Sequence, residues 1–219
     1  MAMKYETLGK GVTPKVPVFW VKVFEPDTAF VPEGEYSVKV ILDEDSTEAQ
    51  GLVAMFDEMT EKAFGIETED LKPGLAKKWT AKPPYVLLDD PDTGEKTGMV
   101  QFTFKMKASG TNTKGKEWTR SVPVFDAAGV KITKMEGFIG NNSKGKVAFM
   151  VKSYANNKDK EVGISLKLTG FQLIELTGGG SDSAEDLGFG AENGGYQQET
   201  INNTMDADVP TDDAPGGDF

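Results

Sequence analysis

One stretch constrains the fold more than any other. In MVQFTFKMKA (99–108), Phe102, Phe104 and Met106 fall on one parity, and Thr103, Lys105 and Lys107 fall on the other. A period of two is the signature of a strand with one buried and one wet face. Other segments share this texture. VPVFWVKVF (16–24) is β-branched and aromatic, and PEGEYSVKVIL follows a Pro-Glu-Gly turn. EWTRSVPVF (117–125) comes after the loop GTNTKGK and is expected to pair with 99–108 across that hairpin. A turn at DAAG, the strand GKVAFMVKSY (145–154), a turn at NNKDK and the long strand VGISLKLTGFQLIEL (162–176) complete the series. Gly170 is expected to mark a bulge in the last of these.

One helix interrupts the strands. Asp45 or Ser46 is placed to cap it, and Glu48 follows Asp45 at capping-box spacing. Leu52, Phe56, Met59 and Ala63 then recur on one face, which reads as core packing, over about 18 residues ending at Gly65. Residues 66–98 read as loop-rich. Five to seven strands with one intervening helix predict a mainly β fold, a small closed or partly open barrel over residues 1–177.

The segment after TGGGSDS differs. Residues 178–219 contain ten acids, nine glycines and no Lys or Arg. Such a segment buries too little apolar surface to offset its ordering entropy and is expected to be a disordered acidic tail. The net charge of −11 is therefore misleading. Without the tail, 25 acids oppose 24 bases. Residues 25–97 carry 18 acids against 7 bases, and residues 98–170 carry 13 bases against 5 acids. That asymmetry points to an electrostatic function for the second half.

Catalysis is poorly served. With no Cys and no His, thiolate chemistry, disulfides and imidazole catalysis are excluded. LDEDSTE lacks calcium-loop spacing, and GGGSDS has no phosphate-loop lysine. A non-enzyme without metal or cofactor is expected. No apolar run is long enough to cross a membrane, and MAMKYETLGK has no apolar leader segment, so the expectation is a cytoplasmic protein.

The basic half offers a binding constellation instead. Lys105, Lys107, Trp118, Arg120, Lys144, Lys146, Lys152 and Tyr154 lie on or beside its strands. Cations can track phosphates while rings stack on bases, which is what sequence-independent binding of single-stranded nucleic acid requires. Phe102, Phe104 and Phe149 read as core. Trp118 shares parity with Val122 and Val124, yet lies near the loop end, so core and stacking roles are both open. Tyr154 ends its strand and reads as exposed.

These residues carry a resemblance. PPYVLLDDPDTGEKTGMVQFTFKMKAS, VPVFDAAGVKI and IGNNSKGKVAFMVKSYANNKDKEVGISLKLTGFQLIEL, in that order along the chain, resemble the OB-fold single-stranded DNA-binding proteins of short-tailed bacteriophages. The resemblance implies DNA contact by Lys105 and Tyr154, and a phosphate contact at Lys107, where the family tends to carry an aromatic. It also implies roles in phage DNA replication, recombination and repair in the host cytoplasm. The tail, with Asp212 and Asp213 and ending in Asp218-Phe219, would mimic DNA, compete for the groove and dock on a polymerase and a helicase–primase. A homodimer through the tail or an edge strand stays open. Two other readings are a structural, virion-associated β-protein and a duplex-binding or annealing architectural protein.

Overall fold

The computed structural model describes residues 6–135 and 137–177. Its elements are β1 (Thr7–Val12), β2 (Val16–Asp27), β3 (Glu35–Asp43), α1 (Thr47–Thr68), α2 (Pro73–Ala76), β4 (Thr80–Lys82), β5 (Tyr85–Asp89), β6 (Lys96–Lys107), β7 (Ser109–Thr111), β8 (Glu117–Thr119), β9 (Val124–Phe125), β10 (Lys131–Ile132), β11 (Ser143–Asn156) and β12 (Glu161–Glu175). Five strands close into a ring in the order β2-β3-β6-β12-β11, with β11 returning to β2. All neighbours in the ring are antiparallel except β6 and β12, which meet in parallel at Lys105 and Lys167. Numbered within the ring, that is 1-2-3-5-4, the arrangement of an OB barrel.

Alternation determines which side faces in. On β11 every odd residue from Ser143 to Ala155 is buried and every even one is part-exposed. On β6, Val100, Phe102 and Phe104 are fully buried while Lys105 and Lys107 are exposed, as their parity predicts. Helix α1 plugs one side of the barrel. Phe56 packs 5.7 Å from Phe102 and 5.5 Å from Phe149, ring centre to ring centre, and Phe104 lies 5.3 Å from Phe149. Burying each such ring is worth about 1.5–3 kcal/mol.

The structure corrects four local readings. The helix cap is Ser46, whose hydroxyl accepts the Ala49 N–H at 3.2 Å; the Asp45–Glu48 box does not form. Gly65 does not end α1, which continues to Thr68. Glu67 in that last turn is fully buried and accepts the Ser153 hydroxyl at 2.7 Å. This anchor to β11 outweighs the roughly 1 kcal/mol that a mid-helix glycine costs. Residues 66–98 are not mainly loop, because β5 pairs with β6 and β4 with β12. Finally, 117–125 does not pair with 99–108. Residues 117–119 pair with β7 in a separate two-stranded sheet, Arg120–Pro123 is irregular, and β9 joins β12.

Two other expectations hold. Gly34 takes φ +76° in the Pro-Glu-Gly turn between β2 and β3. The β11–β12 register shifts beside Gly170, where Ala148 faces Gly170 and Phe149 faces Leu168. Among the described residues no helix is long and apolar enough to cross a membrane.

Candidate nucleic-acid interface

The outer face of the barrel is built by the same alternation that fills the core. On β3, Glu35, Ser37 and Lys39 point outward; on β6, Thr103, Lys105 and Lys107 do. The register sets Glu35 beside Lys107, Ser37 beside Lys105 and Lys39 beside Thr103. The β2–β3 loop rises over this surface and carries Phe30, which is 93% exposed. Between loop and strands lies an open groove of about 400 Å³, whose lining includes Phe30, Glu35, Ser37, Lys39, Thr103 and Lys105. This face and loop of an OB barrel are where oligonucleotides are held in the fold generally.

The cationic surface continues around the ring. Lys105 neighbours Lys167 on β12, and Lys167 faces Met150 on β11. Two residues along, Lys152 faces Ser165, and Tyr154 faces Gly163. Lys167 lies on the exposed parity of β12, and partial desolvation against the sheet lowers its pKa. The Glu35 carboxylate pulls it back up, while the charges of Lys152, Lys107 and Arg120 push it down. Four of the sequence-identified cations, Lys105, Lys107, Arg120 and Lys152, therefore gather around a fifth that sequence reasoning missed. The signal for Lys167 is a charged side chain between Leu166 and Leu168, on the parity it shares with Ser165 and Thr169.

Arg120 reaches this cluster because its N–H donates to the Ala108 carbonyl at 2.7 Å, just past the end of β6. Its guanidinium lies 4.3 Å from the centre of the Trp118 ring. Trp118 is half-buried and is absent from the apolar core. It rests against Gly110, where a Cβ would stand 2.6 Å from the indole. Tyr154 is also half-buried rather than free. Its ring crosses β12 at Gly163, and burial raises its hydroxyl pKa, with the nearby Lys82 ammonium opposing and Glu161 adding to the rise. Lys82 and Glu161 form an ion pair at 3.0 Å beside it.

Lys144 and Lys146 share the outward face of β11 but not this neighbourhood. Lys144 lies eight residues from Lys152, roughly 26 Å along an extended strand. Its register partners are Glu175 and Pro17, and Glu175 binds Lys15 at 2.8 Å. Lys146 edges a separate apolar pocket lined by Val12, Phe125, Ala148, Gly170 and Phe171. Asp212, Asp213, Asp218 and Phe219 lie outside the described residues. Besides Lys167, sequence reasoning missed Phe30, Lys39 and Trp20. Among the described residues, no cluster of three or more Asp or Glu side chains could hold a metal ion.

A family model described as single-stranded DNA-binding protein, bacteriophage T7, matches residues 20–176. No curated protein matches the sequence. Among solved structures the chain is similar to gp2.5, a single-stranded DNA-binding protein encoded by bacteriophage T7. The identity is 23%, the match covers 87% of this chain and 99% of that one, and the TM-score is 0.61. It is also similar to a single-stranded DNA-binding protein from bacteriophage Enc34, solved in complex with ssDNA. There the identity is 13%, the coverage 78% and 89%, and the TM-score 0.50. At these identities the two structures speak for the fold.

Proposed function

Because this chain belongs to the bacteriophage T7 single-stranded DNA-binding protein family, we propose that it binds single-stranded DNA without sequence preference. The observation that carries the reading is the row of cations that crosses β6, β12 and β11 on the outside of the OB ring, with Tyr154 and the Arg120–Trp118 stack at its margins. Lysines there neutralise phosphates and release counterions, so affinity falls with salt at a log–log slope near −0.7 per phosphate. Aromatic faces add about 1–3 kcal/mol per stacked base, whatever the base. A site of roughly 4–16 nucleotides per barrel suits the fold.

The finer reading concerns residues 178–219. This segment, with its ten acids and Phe219, offers charge in place of phosphate and a ring in place of a base. Tethered to the barrel domain, 1–177, it acts at about millimolar effective concentration and competes for the groove. DNA would displace it and free Asp212, Asp213, Asp218 and Phe219 to dock on a polymerase and a helicase–primase. The protein would thus protect single strands during phage replication, recombination and repair in the host cytoplasm.

Fluorescence titration with oligo-dT at two salt concentrations tests both parts, using the full chain, a chain ending at Thr177 and a duplex control. Tighter binding after truncation with steep salt dependence is the expected result. Absence of binding by both chains overturns the DNA reading. Equal binding by both removes the competition while leaving DNA binding in place.

A further inference from the structure

Trp20 sits in β2 in a way that core packing does not require. The β2–β3 register gains one residue between Phe19, opposite Lys39, and Lys22, opposite Ser37. Trp20 occupies that bulge with φ +47°, a left-handed conformation that large side chains rarely adopt. The bulge preserves the burial of Val18 on one side and of Val21 and Val23 on the other, and turns the indole outward, 53% exposed. The loop before β11 holds it there, with the Asn141 Oδ1 accepting the Trp20 N–H at 2.9 Å. Lys39 Nζ lies 4.7 Å from the centre of the indole ring, and the same Lys39 lines the groove with Phe30 and Lys105.

A strained backbone, a side-chain latch and a large exposed aromatic beside a cationic groove belong together at a functional position. We infer that Trp20 is a base-stacking platform that extends the groove from Phe30 and Lys105, past Lys39, onto β2, and that Asn141 is its positioning residue. The inference rests on the single-stranded DNA reading above. A base on the indole would take over the contact that Lys39 makes with the ring, and would leave that ammonium for the adjoining phosphate. Every base has a π-face, so this contact adds affinity without sequence preference.

The test uses the full chain and its W20F, W20A and N141A variants. Tryptophan emission and the anisotropy of a labelled oligo-dT are followed together, with a thermal melt of each variant. W20A should lose about tenfold in affinity, while W20F, which keeps a ring, should stay within about threefold. W20F should also show much less quenching than the wild type, since the emitting platform is gone. N141A should bind more weakly than the wild type and show reduced quenching, with its melt unchanged. Wild-type binding with W20A affinity unchanged and W20F quenching in full overturns this inference alone. A W20A loss of affinity that matches a collapse of its melt also overturns it, by assigning the indole a structural role. Failure of the wild type to bind oligo-dT removes the reading beneath it and the inference together.

Discussion

Lys105 Nζ lies 2.7 Å from Glu35 Oε1, diagonally across the β3–β6 ladder and in the lining of the candidate groove. The Glu35 carboxylate also acts on Lys167. If Lys105 binds a DNA phosphate, the Glu35 carboxylate competes with it for the same ammonium. Exposed ion pairs are worth about 0.2–1 kcal/mol. Glu35→Gln is expected to raise affinity for oligo-dT by about two- to fivefold at low salt. Lys105→Ala should weaken binding and make the salt slope shallower by about 0.7. Titrations over a salt series check both, and weaker binding by Glu35→Gln would mean that the carboxylate organises Lys105 instead of screening it.

Tyr154 and Gly163 form a second testable pair. A Cβ on Gly163 would lie 2.6 Å from the Tyr154 hydroxyl oxygen and 2.9 Å from the Lys82 carbonyl oxygen. The ring can swing, but the β4 backbone cannot move without breaking its parallel pairing with β12. Gly163→Ala should therefore lower stability by about 1–3 kcal/mol, the range for overpacking, and displace the tyrosine. Urea unfolding measures the first effect. If Tyr154 stacks on a base, oligo-dT affinity falls as well; an unchanged affinity would remove Tyr154 from the interface.

Tyr85 supplies a pH signature of the fold. Its hydroxyl donates to Asp57 Oδ1 at 2.9 Å, joining β5 to α1. Burial, then the hydrogen bond and the charge of Asp57, push its pKa from 10.0 to about 12. The folded chain thus keeps this proton where the unfolded chain has lost it. The stability linked to it is fully present below the unfolded value of 10.0 and is lost as pH rises through about 12. Tyrosinate absorbance should show a tyrosine that titrates at about 12 and is absent in Tyr85→Phe, and its absence from the wild type would refute the pairing.

Much of this was legible in sequence because alternation is a strong, local signal. Parity alone separates Phe102 and Phe104, which are buried, from Lys105 and Lys107, which are exposed. It worked where one face meets the core and the other meets water. It could not reveal pairing. By sequence Trp118 belongs to the strand opposite β6, but the chain leaves the barrel after Lys107, folds a short hairpin back on itself, and comes back to the end of β6 where the Arg120 N–H meets the Ala108 carbonyl. Gly65 read as a stop because glycine is a weak helix former, yet the burial of Glu67 against Ser153 is a tertiary anchor that no local window contains. Trp20 and Lys167 escaped for related reasons. A bulge shifts parity by one residue, and the importance of Lys167 comes from β6 and β11 lying on either side of it.

Lys167 gives the last prediction. Burial is the main reason its pKa lies below the usual 10.5, with Lys152, Lys107 and Arg120 adding to the fall and Glu35 opposing it. In the folded protein this lysine releases its proton earlier than in the unfolded chain. Charging it therefore works against folding, and that penalty is relieved as pH rises through the interval below 10.5. DNA has the opposite preference. A phosphate near Lys167 favours the ammonium, so binding on the alkaline side should take up a proton, and affinity should fall as pH climbs through the same interval. Lys167→Arg, which keeps its charge throughout, should retain neutral-pH affinity for oligo-dT and lose this alkaline decline. Lys167→Met should bind more weakly at neutral pH and show no decline of its own. An alkaline decline as steep in Lys167→Arg as in the wild type would place the titrating group elsewhere and remove Lys167 from the DNA path.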